Sequence, residues 1–151
     1  MIDSFGREIN YLRISLTDRC NLRCSYCMPE KGIRDKIGHG DMLSLEENYE
    51  IIKVFHDLGI NKIRFTGGEP LVRKGISSLI ERVSKRGKIR DISLTSNGLL
   101  LKSMGQELKA AGLNRVNISL DTLNEDKYRQ ITRIGSLSTV LEGIEGAKRL
   151  G

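Results

Sequence analysis

Apolar and polar residues alternate along four separate stretches of the chain, and residues with helical spacing follow each stretch. The alternating stretches are residues 8–16, 61–66, 89–97 and 114–121. Alternation with a period of two over this length indicates β-strands. Four strand-and-helix units in series predict a parallel sheet whose crossovers are right-handed. The predicted fold class is therefore α/β, with about four βα units.

Capping residues mark the ends of the predicted helices. Ser44 and Glu47 match a capping box at the start of the first helix, and Gly59 follows its end. Each later helix is predicted as a single continuous element. The second helix runs from Ile76 to Val83 and is followed by Gly87. The third passes through Met104 and Leu108 to Gly112, and the fourth passes through Tyr128 and Ile144 to Gly151.

Each predicted strand has a polar face, although a parallel strand buried on both sides should be almost entirely apolar. In the first two strands this face carries Arg13 and Arg64. One interpretation is a sheet whose polar face is open to water. The other is a partial (βα) barrel whose polar interior holds a ligand. Ligands of parallel α/β folds bind at the carboxyl ends of the strands, so we expect both arginines to present positive charge there.

The length, charge and hydropathy of the chain narrow its class further. With 151 residues the chain fits one domain, covering residues 1–151, and no apolar run approaches the roughly 20 residues needed to cross a membrane. No signal peptide is apparent, so we expect a cytoplasmic protein without a membrane partner. The net charge of +6 indicates either a polyanionic partner, such as nucleic acid or a phosphorylated small molecule, or only a basic surface that maintains solubility.

All three cysteines, Cys20, Cys24 and Cys27, fall in the loop after the first strand. An odd number of cysteines in a reducing compartment argues against disulfides. A structural zinc site would need a fourth ligand, for which His39 is a weak candidate and His56 a weaker one. Three thiolates in one loop instead fit three corners of a [4Fe–4S] cluster. The fourth iron would then be open to a reacting ligand.

Two motifs resemble the signatures of the radical S-adenosylmethionine (SAM) superfamily. The first is C-x3-C-x2-C with Tyr26 before the last cysteine, and the second is GGEP, residues 67–70, after the second strand. Longer stretches resemble the amino-terminal half of the GTP 3',8-cyclase family within that superfamily. They are FGREINYLRISLTDRCNLRCSYCMPEKGI, KIRFTGGEPLVRKGI, LTSNGLLL and RVNISLDTLNEDKYRQITR. The resemblance implies an incomplete α/β barrel of the radical SAM type, with a [4Fe–4S] cluster and SAM as cofactors.

The resemblance also implies a lyase reaction, the first step of molybdenum cofactor biosynthesis. An external one-electron reductant would reduce the cluster, and SAM would split into methionine and a 5'-deoxyadenosyl radical. That radical would take the 3' hydrogen of GTP, whose carbon radical would attack C8 of guanine. Position by position, the resemblance implies cluster ligands at Cys20, Cys24 and Cys27, SAM contacts at Tyr26, Gly68 and Ser119, and GTP contacts at Arg13, Arg64 and Thr95, with Lys62 as a weaker addition.

The chain departs from the family because no cysteine follows Cys27, whereas the family carries a second cluster in its carboxyl-terminal half. We therefore expect an amino-terminal part of the radical SAM domain that cyclises little GTP alone. An exposed fourth strand should favour oligomers. Two alternatives are a radical SAM enzyme acting on a peptide or RNA, and a non-enzymatic iron–sulfur or zinc module. Because the chain has no Trp and only 5% aromatic residues, we expect no nucleic-acid partner.

Overall fold

The computed structural model describes residues 2–32, 38 and 40–151, in which four parallel strands form one sheet. The strands are β1 (Tyr11–Ser15), β2 (Lys62–Thr66), β3 (Asp91–Ser96) and β4 (Arg115–Ile118). They lie side by side in the order of the sequence, and each neighbouring pair is parallel. A sequential order without a reversal is the winding of a (βα) barrel rather than of a doubly wound sheet. The predicted α/β fold with four βα units is confirmed.

Five α-helices connect and follow these strands in the described part of the chain. They are α1 (Leu45–Asp57), α2 (Ile76–Ser84), α3 (Leu101–Ala110), α4 (Glu125–Thr132) and α5 (Leu137–Leu150), with a short 3-10 helix at Pro70–Val72 before α2. The predicted capping box is present, since the Ser44 hydroxyl accepts from the Glu47 amide and the Glu47 carboxylate accepts from the Ser44 amide. None of the described helices combines the length and the apolar character needed to cross a membrane.

The last predicted helix is wrong as a single element, because the chain turns between α4 and α5. Arg133 has φ 60° and Gly135 has φ 119°, and neither value belongs to a right-handed helix. Ser136 then caps α5 by accepting a hydrogen bond from the Thr139 amide. Apolar spacing continues across the turn, which is why periodicity alone predicted one helix.

The apolar faces of the strands pack against the helices, as the alternation predicted. Phe65 of β2 and Leu94 of β3 are fully buried in this core. Their neighbours are residues from both layers: Ile14, Leu16, Ile63 and Ile92 from the sheet side, and Ile52, Ile76, Leu79, Ile80, Val83, Leu101 and Leu108 from the helices. Burial of this apolar area is the main stabilising term of such a fold.

The opposite face of the sheet is polar but not uniformly open. Arg13 is exposed, whereas Thr66 and Ser93 are buried. The Thr66 hydroxyl donates to the Ile14 carbonyl at 3.3 Å, and the Ser93 hydroxyl donates to the Ile63 carbonyl at 3.2 Å. Small hydroxyls can be buried here because each has a backbone acceptor on the neighbouring strand.

The capping box generates a stability prediction. Replacing Ser44 with Ala removes the acceptor for the Glu47 amide, so the free energy of unfolding should fall by about 1 kcal/mol. Urea titration followed by circular dichroism measures the change. Ser78→Ala, at an exposed position of α2, is the matched control and should change stability by less than about 0.5 kcal/mol. Equal effects of the two substitutions would contradict the capping role.

Candidate functional site

A cleft of about 210 Å³ lies at the carboxyl ends of the strands, and all three cysteines line it. The strand residues Arg13 and Thr95 contribute to the same cleft, which gives it a polar and basic wall. Eight of the nine residues predicted for the site therefore come together. They are Cys20, Cys24, Cys27, Tyr26, Gly68, Ser119, Arg13 and Thr95.

Arg64 is the ninth predicted residue and does not line this cleft. It lies beside Arg13 in the register of β1 and β2, with each arginine at the third of five strand positions. Its guanidinium stacks over the Tyr11 ring at 5.5 Å, and its Nε lies 3.5 Å from the Ser93 hydroxyl. Arg64 thus adds positive charge next to the cleft without forming its wall.

The weaker candidates lie elsewhere. Lys62 is the first residue of β2, so it lies towards the amino end of the sheet, away from the cysteines. His56 lies near the same end, with its Nδ1 3.2 Å from the Ile60 carbonyl. His39 falls outside the described residues. The structure therefore supplies no histidine beside Cys20, Cys24 and Cys27 among the residues it describes.

Gly67 and Gly68 bring the end of β2 into backbone contact with the segment that leads to Cys20. The Gly68 amide donates to the Thr17 carbonyl at 2.6 Å, and the Glu69 amide donates to the Arg19 carbonyl at 2.8 Å. A Cβ at position 68 would lie 2.3 Å from the Arg19 carbonyl oxygen, and Gly67 has φ 147°. Only glycine permits this approach. These glycines thus fix where the cysteine-bearing segment starts.

Glu69 connects the ends of β2 and β3. Its side chain is buried and accepts three hydrogen bonds, from the Leu71 amide at 3.0 Å, the Ser96 hydroxyl at 2.9 Å and the Asn97 amide at 2.8 Å. Burial raises the pKa of Glu69, and these hydrogen bonds oppose the rise. Asn97 in turn donates to the Asn21 side chain at 2.7 Å. Glu69 therefore holds the β3 end in place against the loop that carries the cysteines.

We define the cysteine loop as residues 18–28, a segment without helix or strand. Its far end is held to the end of β4, because the Tyr26 hydroxyl donates to the Asp121 carboxylate at 2.8 Å. This hydrogen bond is the largest cause of the raised pKa of Tyr26. The loop is also closed on itself, since the amides of Cys27 and Met28 both donate to the Cys24 carbonyl at 2.9 Å.

Burial raises the pKa of the Cys20 and Cys24 thiols, so thiolate formation is unfavourable without a nearby cation. The Cys20 sulfur accepts a hydrogen bond from the Leu22 amide at 3.3 Å, which partly offsets that cost. Three soft sulfur donors facing one cleft fit an iron–sulfur cluster in their chemistry. Among the described residues, no three His, Cys, Asp or Glu side chains converge on one metal ion. The cysteine ligands of a [4Fe–4S] cluster need not converge on one metal ion, because each thiolate binds a separate iron.

The chain belongs to the radical SAM superfamily, whose family model matches residues 14–151. Membership implies an iron–sulfur cluster and SAM as cofactors. The chain is 60% identical over its whole length to the GTP 3',8-cyclase of Alkaliphilus metalliredigens, covering 47% of that relative. It is also 60% identical to the GTP 3',8-cyclase of Peptoclostridium acidaminophilum, covering 46% of it. The chain thus spans about half the length of the curated relatives it matches.

Two solved structures share the fold. Methylornithine synthase (PylB) aligns with a TM-score of 0.73 at 20% sequence identity, covering 93% of this chain and 42% of that one. Streptococcus suis SuiB, solved with its precursor peptide SuiA, aligns with a TM-score of 0.73 at 16% identity, covering 94% of this chain and 31% of that one. At these identities the similarity shows the fold alone.

Motif reasoning found the cysteines and the strand residues but missed the residues that hold them. Glu69 was read only as part of GGEP, and Asn97 only as part of a resembling stretch. Asp121 and Arg133 also lie within a resembling stretch and were given no role. The signal for Asp121 was its position as the last residue of the predicted fourth strand, since ligand-end residues of parallel sheets lie at the carboxyl ends of the strands. No local pattern indicates Arg133, because its contacts are with residues more than 100 positions away.

The thiol environment generates a second prediction. In the metal-free protein, Cys27 is exposed while Cys20 and Cys24 are partly buried with raised pKa values. Iodoacetamide at pH 8 should therefore modify Cys27 first and Cys20 and Cys24 several-fold more slowly, as read by peptide mass spectrometry. In urea the three rates should converge. Modification of Cys20 as fast as Cys27 in the folded protein would contradict this geometry.

Proposed function

We propose that this chain is the cluster- and SAM-binding part of a GTP 3',8-cyclase that converts GTP to 3',8-cyclo-7,8-dihydro-GTP. The observation that carries the proposal is the shared cleft, in which the three cysteines lie together with Arg13 and Thr95. Identity of 60% to two such cyclases over the full chain supports the same substrate. The proposed reaction would then be the first step of molybdenum cofactor biosynthesis.

Cys20, Cys24 and Cys27 would hold the [4Fe–4S] cluster as thiolates. Held there, such a cluster would supply the electron, received from an external reductant, that the reductive cleavage of SAM into methionine and a 5'-deoxyadenosyl radical requires. Tyr26, Gly68 and Ser119 would position SAM, since all three line the cleft beside the cysteines. The Gly68 backbone and the Ser119 hydroxyl supply polar groups there, and Tyr26 is held in place by Asp121.

Arg13 and Thr95 would bind GTP from the strand side of the cleft, with Arg64 adding charge beside Arg13. A guanidinium matches phosphate oxygens in geometry as well as in charge. Arg13 is exposed and forms no ion pair with any of the described residues, so its guanidinium can bind an anion. Arg64 is already stacked on Tyr11, so its contribution should be smaller.

Anaerobic reconstitution with iron and sulfide tests the cluster and the reaction class together. The protein should gain visible absorption and, with SAM and a strong reductant, release 5'-deoxyadenosine. Cys24→Ala should lose both properties, because an iron loses its thiolate ligand. Ser25→Ala, its exposed neighbour, is the matched control and should keep both.

The substrate is tested in the same reaction with GTP deuterated at the 3' position. We expect the label to appear in 5'-deoxyadenosine, as measured by mass spectrometry. If a cluster forms and SAM is cleaved but no nucleotide supplies hydrogen, the radical SAM chemistry stands and this chain by itself does not act on GTP. A substrate peptide or RNA would then be the next to test.

Arg13→Ala should weaken GTP binding by about 1.5–3 kcal/mol, roughly 10- to 150-fold in Kd, because a charged hydrogen bond to phosphate is lost. Isothermal titration calorimetry measures the change. Arg64→Ala should have a smaller effect. Arg115→Ala, on β4 and ion-paired with Asp91, is the matched control and should leave Kd unchanged. Unchanged Kd in Arg13→Ala would argue against the phosphate role.

A further inference from the structure

The turn between α4 and α5, residues 133–136, lies against the cysteine loop. The Arg23 amide donates to the Thr132 carbonyl at 3.2 Å, and the Ser25 amide donates to the Ile131 carbonyl at 2.8 Å. Both donors flank Cys24 in the sequence. The last carbonyls of α4 lack helical partners, and the loop supplies donors to two of them, although the Thr132 carbonyl also accepts from the Ile134 amide at 2.7 Å. One end of a helix therefore holds the loop backbone on both sides of one cysteine.

Arg133 makes the most extensive of these contacts. Its Nη1 donates to the Arg23 carbonyl at 3.0 Å and to the Met28 carbonyl at 2.8 Å. These two carbonyls lie on either side of the segment that contains Cys24 and Cys27. A single guanidinium therefore fixes the distance between the two ends of that segment. Hydrogen bonds from a charged donor are among the stronger ones in proteins.

The backbone of Arg133 is in an unfavourable conformation. Its φ is 60°, a region in which a side chain with a Cβ is disfavoured and glycine is preferred. Gly135, two residues later, has φ 119° and is a glycine, as this geometry favours. The cap that Arg133 provides for α4 is an amide donating to the Arg129 carbonyl, which glycine could supply equally well. Only the side chain of Arg133 requires an arginine here.

We propose that Arg133 is a positioning residue that fixes the spacing of the cysteine thiols, and that its backbone strain is retained for this purpose. The step from thiol spacing to the cluster rests on the proposed function. The restraint on the loop does not, because it follows from contacts within the chain. Arg133 touches neither a thiol nor a reacting atom, so it acts only through the loop backbone.

Arg133→Gly separates the two effects of this residue. Glycine relieves the backbone strain, which offsets part of the stability lost with the hydrogen bonds, so the free energy of unfolding should fall only slightly. It also removes both hydrogen bonds to the loop carbonyls, so the loop should open more often. Loss of one charged hydrogen bond should raise the equilibrium constant for local opening of the loop by roughly tenfold or more.

Lys88→Gly is the matched control. Lys88 also has φ 60° and is the other non-glycine residue with positive φ in the described part of the chain. It lies beside His56 and Gly59 at the amino end of the sheet, away from the cysteines. Glycine at this position should relieve the same kind of strain and leave the loop unchanged.

The experiment compares the parent, Arg133→Gly and Lys88→Gly by three measurements. Thermal unfolding of the metal-free proteins should give an equal or higher Tm in Lys88→Gly and only a small change in Tm in Arg133→Gly. Iodoacetamide modification of Cys24 in the metal-free proteins should be about tenfold faster in Arg133→Gly alone. After anaerobic reconstitution, iron release to a ferrous chelator should also be faster in Arg133→Gly alone.

Two outcomes would overturn the proposal. One is parent-like modification of Cys24 in Arg133→Gly. The other is a large fall in the Tm of Arg133→Gly but not of Lys88→Gly, which would make Arg133 a general stabilising residue. If no variant binds iron, the proposed function fails, and the modification rates of the metal-free thiols still decide the role of Arg133.

Discussion

The backbone contact between Gly68 and the Thr17–Arg19 segment is the constraint on which the site depends. It joins the end of β2 to the chain leaving β1 at a distance that no side chain would permit. Three hydrogen bonds satisfy the buried carboxylate of Glu69, and two of them, from Ser96 and Asn97, extend this junction to β3. Three strand ends are thereby held in one arrangement before any cysteine is reached. These three donors offset the cost of burying the Glu69 carboxylate.

The cysteine loop has no regular structure of its own, so its order comes from its surroundings. Contacts reach it from the end of β2, from Asn97 after β3, from Asp121 after β4 and from the end of α4. These contacts come from the second, third and fourth βα units. Thiols that bind a cluster must be held at fixed separations, and rigid elements hold them better than a free loop does. The sheet therefore functions as a frame around a segment that could not hold its shape alone.

The parts of this structure that could be predicted are those encoded locally. Alternation located all four strands, and the capping residues located α1, because both signals depend on near neighbours in the sequence. The break after α4 could not be predicted, since Arg133 adopts a positive φ while holding a loop more than 100 residues away. Sequence reasoning also placed Arg64 on the polar face correctly. It did not show that stacking on Tyr11 would hold that side chain outside the cleft wall.

The distance along the sequence between the cysteine loop and α4 has a consequence for synthesis in the cell. The loop leaves the ribosome early, but the turn that holds it follows about 105–110 residues later. At about 5–20 residues per second, the thiols wait on the order of 5 to 20 s for that partner. During this interval the three cysteines lack the contacts that α4 makes, and their thiols are open to oxidation or to the wrong metal. Iron and sulfide delivered before α4 is made would meet a loop whose Cys24 segment is not yet held. A cluster bound by these cysteines would therefore be held fully only after the fourth βα unit is complete, which would make the timing of translation part of how the cofactor is acquired.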